Sequence, residues 1–242
     1  MSSIQFRVHR LLTGPLYKIL SFPSFRYSYF FDVFAHTARE NMMKIAMEFA
    51  THSKLKGDYL EFGVNKGESF VAAFHFARRS GLNTMKFYAF DSFRGLPEIK
   101  GIDAEGFAHF QEGEFACDMD QFCKIITSKG VALDRVSLVP GWYDEVLNDE
   151  TKGKLPLRSA AVIWVDCDLY ESTVPVLDFI TDYIQDGTVI IFDDWFSFRG
   201  DPNRGEQKAF AEWLARNHRI SATEFHKFDW KGISFILHCD LL

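Results

Sequence analysis

The sequence predicts an α/β protein with a doubly wound, mostly parallel sheet, and three observations support this. Residues 162–165 and 189–192 are continuous β-branched and aromatic runs without apolar/polar alternation, as is typical of parallel strands covered by helices on both faces. Between them, residues 172–184 carry apolar side chains at helical spacing and stop at Asp186-Gly187. Strand and helix patterns also alternate along the preceding chain, which is the signature of this fold class.

The other elements are predicted from the same patterns, taken in chain order. Apolar spacing predicts helices over 30–51, 70–77, 119–129 and 207–215, and strands near 59–61, 87–90 and 136–139. Two last strands, over 223–228 and 233–239, are joined at Trp230-Lys231-Gly232. They predict a terminal hairpin that closes the sheet.

Composition limits the classes of function. The chain has 242 residues, is 47% hydrophobic and carries a formal net charge of -6, so a sizeable core is expected in one main domain. The acidic balance argues against a nucleic-acid surface, because phosphate binding needs clustered Lys and Arg. Four scattered cysteines indicate no zinc ribbon or disulfide framework. No apolar run approaches the roughly 18 to 20 residues of a membrane-spanning helix, and a cytoplasmic location is expected.

The N-terminal segment differs from the rest of the chain. It is rich in Phe and places four basic residues ahead of the first acidic residue, Asp32; these are Arg7, Arg10, Lys18 and Arg26. One alternative is a contact with a membrane surface or another subunit. The other is an arm that packs on a partner subunit or covers the active site. We predict an arm and helix over 1–54, which supports a homo-oligomer, and the α/β domain over 55–242.

A glycine-bearing loop follows the first predicted strand. Gly63 and Gly67 allow a sharp turn and a close approach to a ligand, and the helix that follows offers free amide donors. The pattern Glu61-x-Gly-x-x-x-Gly differs from the dinucleotide fingerprint Gly-x-Gly-x-x-Gly, which disfavours a pyrophosphate. Asp91 ends the second strand, where many nucleoside-binding sheets hold a ribose diol. Together these features predict an adenosine-type ligand, although such a loop also occurs for structural reasons alone.

A long segment, 92–118, follows Asp91. It is rich in glycine and acidic residues and has no clear period, and loops of this length tend to be functional or mobile. We interpret it as a lid over a substrate, with surface disorder as the alternative.

Acidic residues follow both central strands. Asp166 and Asp168 come after the first, and Asp193 and Asp194 come directly after the second. Because the carboxyl ends of parallel strands meet at one sheet edge, where such sheets bind ligands, the clusters predict one metal site. Asp166, Asp193 and Asp194 are the predicted ligands. Asp168 is expected to turn away from Asp166 by strand alternation and to serve as a cap or turn former.

Four motifs in register resemble the macrocin-type O-methyltransferases. They are Glu61-Phe-Gly-Val-Asn-Lys-Gly67, Asp91-Ser-Phe-Arg-Gly-Leu-Pro97, Asp166-Cys-Asp-Leu-Tyr-Glu-Ser-Thr173 and Phe192-Asp-Asp-Trp195. The resemblance implies a seven-stranded class I fold, S-adenosylmethionine and Mg²⁺ as cofactors, and methylation of sugar hydroxyls. It implies cofactor contacts at Glu61, Gly63, Asn65, Gly67, Ser69, Asp91, Ser92, Gly141 and Trp142, and metal binding at Asp166, Asp193 and Asp194.

The implied chemistry leaves several roles open. Carboxylate oxygens suit Mg²⁺, and Asp166 is the predicted catalytic base, with His109, His226 and His238 as alternatives that spacing does not separate. Tyr170 and Trp195 are predicted to line the acceptor pocket, with aromatic packing as the alternative. The expected partner is a small molecule bearing hydroxyls. Rival functions are a catechol or phenolic O-methyltransferase and a non-catalytic methyltransferase-like binding protein.

Overall fold

The computed structural model of the protein describes residues 23–106 and 109–239, with side chains described from residue 38 onwards. The predicted contact of the N-terminal arm with another subunit lies mostly in residues 1–22, outside the described residues. Compactness divides the chain into a unit that ends at Arg39 and a unit from Glu40 to Leu242. The site described below belongs wholly to the second unit.

The elements alternate as predicted. The helices are α1 (Pro23–His52), α2 (Glu68–Arg79), α3 (Met119–Ser128), α4 (Tyr143–Val146), α5 (Asp149–Lys154), α6 (Tyr170–Ile180) and α7 (Gly205–Arg216). The strands are β1 (Asp58–Phe62), β2 (Phe87–Asp91), β3 (Val136–Pro140), β4 (Ala160–Val165), β5 (Val189–Phe192), β6 (Ile220–Phe228) and β7 (Gly232–Cys239). The short helices α4 and α5 carry no buried residue, so they lack the apolar stripe from which a helix is recognised.

The predicted mostly parallel, seven-stranded sheet is confirmed. Its strand order is β3-β2-β1-β4-β5-β7-β6. The pairs from β3 to β5 are parallel, whereas β7 is antiparallel to both β5 and β6. The predicted terminal hairpin therefore closes one side of the sheet, with β7 inserted next to β5.

Both faces of the sheet are covered, which explains the continuous apolar runs. Every residue of β4 and β5 is buried. One face packs with apolar residues of α1, α2 and α3, including Met42, Phe70 and Phe122, and the other packs with α6 and α7 through residues such as Leu177 and Phe210. In the part of the chain that the structure describes, no helix is long and apolar enough to cross a bilayer.

The strand order reverses at β1, because the chain runs outward through β2 and β3 and then returns to β4 on the other side. Open α/β sheets bind ligands in the crevice that such a reversal leaves at the carboxyl ends of the strands. The Gly63 amide donates to the Phe90 carbonyl (2.9 Å) and the Asp166 amide to the Phe62 carbonyl (2.8 Å). The pairing of β1 with both neighbours thus continues up to the crevice.

Candidate active site at the carboxyl edge of the sheet

The glycine loop touches the first acidic segment at Gly63. This residue has φ 87°, in the left-handed region that favours glycine. A Cβ at this position would lie only 2.0 Å from the Asp166 carbonyl oxygen. Gly63 is thus required for conformation and for space, and it brings the predicted cofactor loop into contact with the predicted metal-binding segment.

Asp91 holds the glycine loop in place. Its Oδ2 accepts hydrogen bonds from the backbone amides of Val64 (2.7 Å) and Asn65 (3.3 Å), and its Oδ1 accepts one from Phe93 (2.7 Å). Burial raises the pKa of Asp91, and these amide bonds counter the rise in part. The sequence predicted a ribose contact for Asp91, and that role stays a prediction. The structure adds that the same carboxylate fixes the loop at the crevice.

Glu61 lies inside the protein beneath the loop. It is fully buried, its Oε1 accepts a hydrogen bond from Ser69 Oγ at 2.6 Å, and its Oε2 accepts one from the Tyr59 hydroxyl. Burial raises the pKa of Glu61 to about 8, despite the two hydroxyl bonds, with further upward contributions from Asp193 and Asp91. Because Ser69 and Glu61 are hydrogen-bonded to each other, both side chains support the loop in this structure.

A Glu61→Gln variant tests this buried, protonated carboxyl. Glu61 titrates near 4.5 in the unfolded chain and near 8 in the fold, so only the unfolded chain releases its proton as the pH rises between these values. We expect wild type to lose about 1.4 kcal/mol of stability per pH unit relative to the variant across this window. Urea unfolding at pH 5, 6, 7 and 8 measures the difference. Parallel pH profiles for the two proteins would contradict the assignment.

The other predicted cofactor residues surround the same crevice. Gly67 has φ 76° and precedes α2, where its missing side chain leaves room for Phe122 and Ile126. Asn65 is exposed. Ser92 follows β2, and its Oγ donates to the Gly95 carbonyl at 2.9 Å. Gly141 and half-buried Trp142 follow β3, and the Gly141 amide donates to the Asp91 carbonyl at 2.9 Å.

Three carboxylates converge beside this loop. Asp166, Asp168 and Asp194 each offer an oxygen, and these oxygens lie within 4.8 Å of one another. Strand alternation does not extend to Asp168, because β4 ends at Val165 and Asp168 itself adopts a left-handed φ of 63°. The expectation that alternation directs Asp168 away from Asp166 is therefore wrong.

Asp193 occupies a different position. Its Oδ2 lies 3.0 Å from Lys231 Nζ, which is also 2.6 Å from Asp194 Oδ1. Asp194 Oδ1 accepts a second hydrogen bond from Ser197 Oγ at 2.9 Å. The geometric group thus contains Asp168 and two of the three predicted metal ligands, Asp166 and Asp194. Metal binding itself stays a prediction.

Burial disfavours the ionised form of the carboxyl groups in this cluster. Burial, and then the charges of Asp194 and Asp166, raise the pKa of Asp168 well above its usual range. Burial also acts to raise the pKa of Asp194, but the Lys231 ammonium and the hydrogen bonds with Lys231, Asp168 and Ser197 together outweigh it, and the pKa is lowered. Converging carboxylates repel one another unless a proton or a cation lies among them.

Two residues that the sequence did not single out complete the cluster. Glu206, at the start of α7, is buried and accepts a hydrogen bond from the Asp194 amide at 3.0 Å. Lys231 lies in the hairpin turn. Burial and three neighbouring aspartates raise the pKa of Glu206 well above its usual range. Neither residue stands near the acidic motifs in sequence, so only the fold reveals their role.

The donor set fits a hard cation. Asp194 Oδ2 and Glu206 Oε1 are buried and receive no hydrogen bond from an N–H or hydroxyl group of the described residues, and buried polar atoms without partners are costly in a folded protein. Carboxylate oxygens are the ligands that Mg²⁺ and Ca²⁺ prefer. A cation among these oxygens would satisfy atoms that the chain leaves without donors.

Comparison with known proteins identifies the family. The model of the family described as macrocin-O-methyltransferase (TylF) matches residues 32–236. The chain belongs to the macrocin-O-methyltransferase family. The resemblance inferred from the four motifs is thereby confirmed.

Relatives of this family member come from actinomycetes. The 8-demethyl-8-(2,3-dimethoxy-alpha-L-rhamnosyl)-tetracenomycin-C 4'-O-methyltransferase of Streptomyces olivaceus is 30% identical over 169 residues, which are 66% of this chain and 63% of the relative. The mycinamicin III 3''-O-methyltransferase of Micromonospora griseorubida is 26% identical over 171 residues, which are 66% of this chain and 65% of the relative. The matched part of the chain thus spans just under two thirds of these curated relatives.

Solved structures share the fold. The calicheamicin methyltransferase CalS11 has a TM-score of 0.67 and 21% identity, and the match covers 98% of this chain and 93% of that one. The O-methyltransferase TomG of Streptomyces achromogenes, in complex with SAM, has a TM-score of 0.55 and 14% identity, with 82% of this chain and 80% of that one covered. The class I methyltransferase fold, with its seven-stranded sheet, is confirmed by these neighbours.

The two predicted acceptor residues differ in their surroundings. Trp195 packs in an aromatic cluster, with ring centroids 5.1 Å from Phe192 and 5.0 Å from Phe235. Tyr170 starts α6, and its hydroxyl donates to Glu212 Oε2 at 2.8 Å. Trp195 therefore contributes packing to this macrocin-O-methyltransferase family member, and an acceptor contact at either residue stays a prediction.

The histidines predicted as alternative bases are spread apart. His238 Nδ1 pairs with Asp186 at 3.3 Å, and since Asp186 precedes β5, this pair lies at the edge opposite the acid cluster. The His226 carbonyl accepts from Ser234 Oγ at 3.1 Å within the hairpin. The His109 ring lies 6.4 Å from that of Phe198, which follows the Asp193-Asp194 pair. Position thus disfavours His238 as a base.

The predicted lid is anchored to the acid-bearing elements. A 3₁₀ turn at Gly101–Ala104 presents Asp103, which is buried and accepts hydrogen bonds from the amides of Tyr170 and Glu171, both at 3.0 Å. Arg204 holds the same turn, donating from Nη2 to the Ile102 carbonyl at 2.9 Å. The described part of the segment is thus docked onto the start of α6, which follows Asp168, and onto Arg204, which immediately precedes α7.

An Asp103→Ala variant tests the docking. The side chain caps the first amides of α6, which otherwise have no acceptor within the helix. We expect a loss of about 1 kcal/mol in the free energy of unfolding, measured by urea denaturation. Glu105→Ala is the matched control, because Glu105 is exposed in the same turn. Equal stability of the two variants would contradict the capping role.

Proposed function

We propose that the chain is an O-methyltransferase that transfers a methyl group from S-adenosylmethionine to a hydroxyl of a sugar or glycosylated metabolite, with Mg²⁺ bound at the acid cluster. One observation carries the proposal. The Gly63 loop, which is built for close approach to a ligand, meets the Asp166 segment at the reversal of strand order. A cofactor held by the first and an acceptor held by the second would be neighbours.

The methyl donor is assigned to the loop after β1. The free amides at the start of α2 and the Asp91 carboxylate offer donors and acceptors for the polar groups of such a cofactor. Membership of the macrocin-O-methyltransferase family supports this assignment, as does the SAM complex of the structural neighbour TomG.

The cation is assigned to the acid cluster, with Asp166, Asp193 and Asp194 as the predicted ligands and Asp168 as a further carboxylate close to two of them. When bound there, a divalent cation would polarise the acceptor hydroxyl and lower its pKa. The chain's own contribution is to fix the acids: the Glu206 carboxylate holds the Asp194 amide, and Ser197 holds Asp194 Oδ1. These contacts orient the site before the acceptor arrives, which is the source of proximity effects.

Asp166 is assigned as the proton acceptor. It is only partly buried, whereas Asp168 and Asp194 are buried, so among these three it is the carboxylate that an incoming hydroxyl reaches. In the proposed reaction the hydroxyl oxygen displaces the methyl group from the sulfonium, and the hydroxyl proton passes to Asp166 and then to solvent. S-adenosylhomocysteine leaves as the second product.

The acceptor class rests on the relatives. The Streptomyces olivaceus protein is named for 4'-O-methylation of a rhamnosyl-bearing tetracenomycin and the Micromonospora griseorubida protein for 3''-O-methylation of mycinamicin III. A sugar carried on a larger metabolite is therefore the first acceptor class to test. Free sugar nucleotides and catechols are the contrasting classes.

Two measurements test the function. Calorimetry with S-adenosylhomocysteine, with and without MgCl₂, should detect cofactor binding, and its absence in both conditions would rule out a methyltransferase. A methyl-transfer screen across glycosylated metabolites, sugar nucleotides and catechols, repeated in EDTA, should show turnover with a glycoside that EDTA abolishes. Turnover unchanged by EDTA would remove the cation from the proposal and leave the methyl transfer standing.

A further inference from the structure

Trp230, in the turn between β6 and β7, is the one of the five tryptophans whose side chain lies mostly in solvent. Its exposed fraction is 64%, whereas Trp164 and Trp213 are fully buried and Trp142 and Trp195 are half-buried. Burial of so large an apolar side chain would stabilise the fold. Because single apolar side chains are common on protein surfaces, the exposure of Trp230 gains meaning only from its position.

That position is the carboxyl edge of the sheet, beside the acid cluster. Phe192, the last residue of β5, pairs with Ile233 in the antiparallel strand β7, so the turn before β7 extends past the end of β5. The residue next to Trp230 is Lys231, whose ammonium lies 2.6 Å from Asp194 Oδ1. Trp230 is therefore separated from the acid cluster by at most one peptide unit and the length of one lysine side chain.

The turn that carries Trp230 is held on both sides. The Lys231 carbonyl accepts a hydrogen bond from the Phe196 amide at 2.9 Å, which ties the turn to the segment after the acids. At Gly232 an added Cβ would lie 2.3 Å from the Phe228 ring, so this ring fills the space under the turn. A surface on such a fixed turn is ordered before a ligand arrives, which lowers the entropic cost of binding.

We propose that Trp230 is a stacking platform for the part of the acceptor beyond the methylated sugar, and that this part is a flat apolar ring system. The inference rests on the proposed function, in which the acceptor is a glycosylated metabolite, and adds the contact that selects the carrier of the sugar. Asp168 and Asp194 are buried, so a sugar hydroxyl reaches them from the crevice while the carrier extends outwards, towards the exposed rim.

The chemistry of the indole suits this role. Its face is large and apolar, and it stacks in an offset arrangement on other ring systems. Tryptophan is also among the residues that contribute most to the energy of binding surfaces. An acceptor held by a hydroxyl at the acid cluster and by its ring system at Trp230 is fixed at two points, which orients the sugar between them.

Trp230→Ala is the test, with Trp230→Phe as the variant that keeps a ring. Leu133→Ala is the matched control. Leu133 is also an exposed apolar residue, at 47%, but it precedes β3 and so lies at the opposite edge of the sheet. Because all three substitutions are on the surface, the variants should unfold within about 2 °C of wild type.

Two probes with one sugar separate the platform from the sugar site. They are methyl α-L-rhamnopyranoside and 2-naphthyl α-L-rhamnopyranoside, and their affinities are measured by ligand-observed NMR with the full chain, S-adenosylhomocysteine and MgCl₂. We expect wild type and Leu133→Ala to bind the naphthyl glycoside about tenfold more tightly than the methyl glycoside. In Trp230→Ala the two affinities should agree within about twofold, with that of the methyl glycoside unchanged. Trp230→Phe should keep part of the preference.

The contrary results are distinct. An undiminished preference in Trp230→Ala, an equal loss of both glycosides, or a wild type that binds S-adenosylhomocysteine but neither glycoside would overturn the inference and leave methyl transfer standing. Wild type that sediments with phosphatidylglycerol vesicles when Trp230→Ala does not would assign the residue to a membrane surface and also overturn it. An absence of S-adenosylhomocysteine binding would instead overturn the proposed function on which the inference rests.

Discussion

Gly63→Ala is expected to abolish detectable binding of S-adenosylhomocysteine and to lower the free energy of unfolding by about 3 kcal/mol or more. The added Cβ would lie 2.0 Å from the Asp166 carbonyl oxygen, a backbone atom that cannot rotate away. The strand ends must separate to admit it, and that separation displaces both the cofactor loop and the acid cluster. Calorimetry and urea unfolding measure the two effects.

Gly81→Ala is the matched control for this variant. Gly81 has φ +83°, close to the +87° of Gly63, but nothing lies within 4 Å of its added Cβ. It should therefore show only the conformational cost, about 1 to 2 kcal/mol, and bind S-adenosylhomocysteine normally. If the two variants had the same stability and the same affinity for S-adenosylhomocysteine, the close contact between Gly63 and Asp166 would not be required for cofactor binding.

Asp194→Asn is expected to reduce kcat for methyl transfer by about 100-fold or more, with S-adenosylhomocysteine affinity within about threefold of wild type. Asp194 is shared between the proposed cation site, Lys231 and the Ser197 hydroxyl, so a neutral amide there weakens the cation site directly. Loss of a catalytic metal removes several kcal/mol of transition-state stabilisation. The measurement is steady-state kinetics with the acceptor found in the screen.

Asp201→Asn provides the comparison, because Asp201 is exposed in the loop that follows the same strand. Its kcat should match that of wild type. Thermal unfolding of both variants separates loss of the fold from loss of the site. A fully active Asp194→Asn protein would remove Asp194 from the reaction.

The sheet could be predicted because its central strands carry an unusually direct signal. Strands covered on both faces read as continuous apolar runs, and the 162–165 and 189–192 runs are the centres of β4 and β5. The glycine loop was also predictable, since a left-handed turn at a strand end requires a residue such as Gly63. These features depend on residues close together in the chain.

The composition of the acid cluster was less predictable for the opposite reason. Period-two alternation holds only while the strand continues, and β4 ends at Val165. Asp168 then adopts a left-handed conformation that its residue type alone does not predict. The Lys231 ammonium contacts both Asp193 and Asp194, and Lys231 lies 37 residues further along the chain than Asp194. Glu206 reaches the cluster from α7. Contacts between such distant segments follow from the packed fold, which local patterns do not encode.

The insertion of β7 beside β5 also has a consequence for the order of folding. Strands β1 to β5 precede the hairpin in the chain, so β6 and β7 are the last strands to be synthesised. The ammonium that balances Asp193 and Asp194 arrives only when the later hairpin docks. The negative charges of Asp193 and Asp194 are thus neutralised last. Opening of the hairpin alone would leave them without the Lys231 ammonium. Amide hydrogen exchange in β7 should therefore depend on the charge state of Asp193 and Asp194, although neither residue lies in β7.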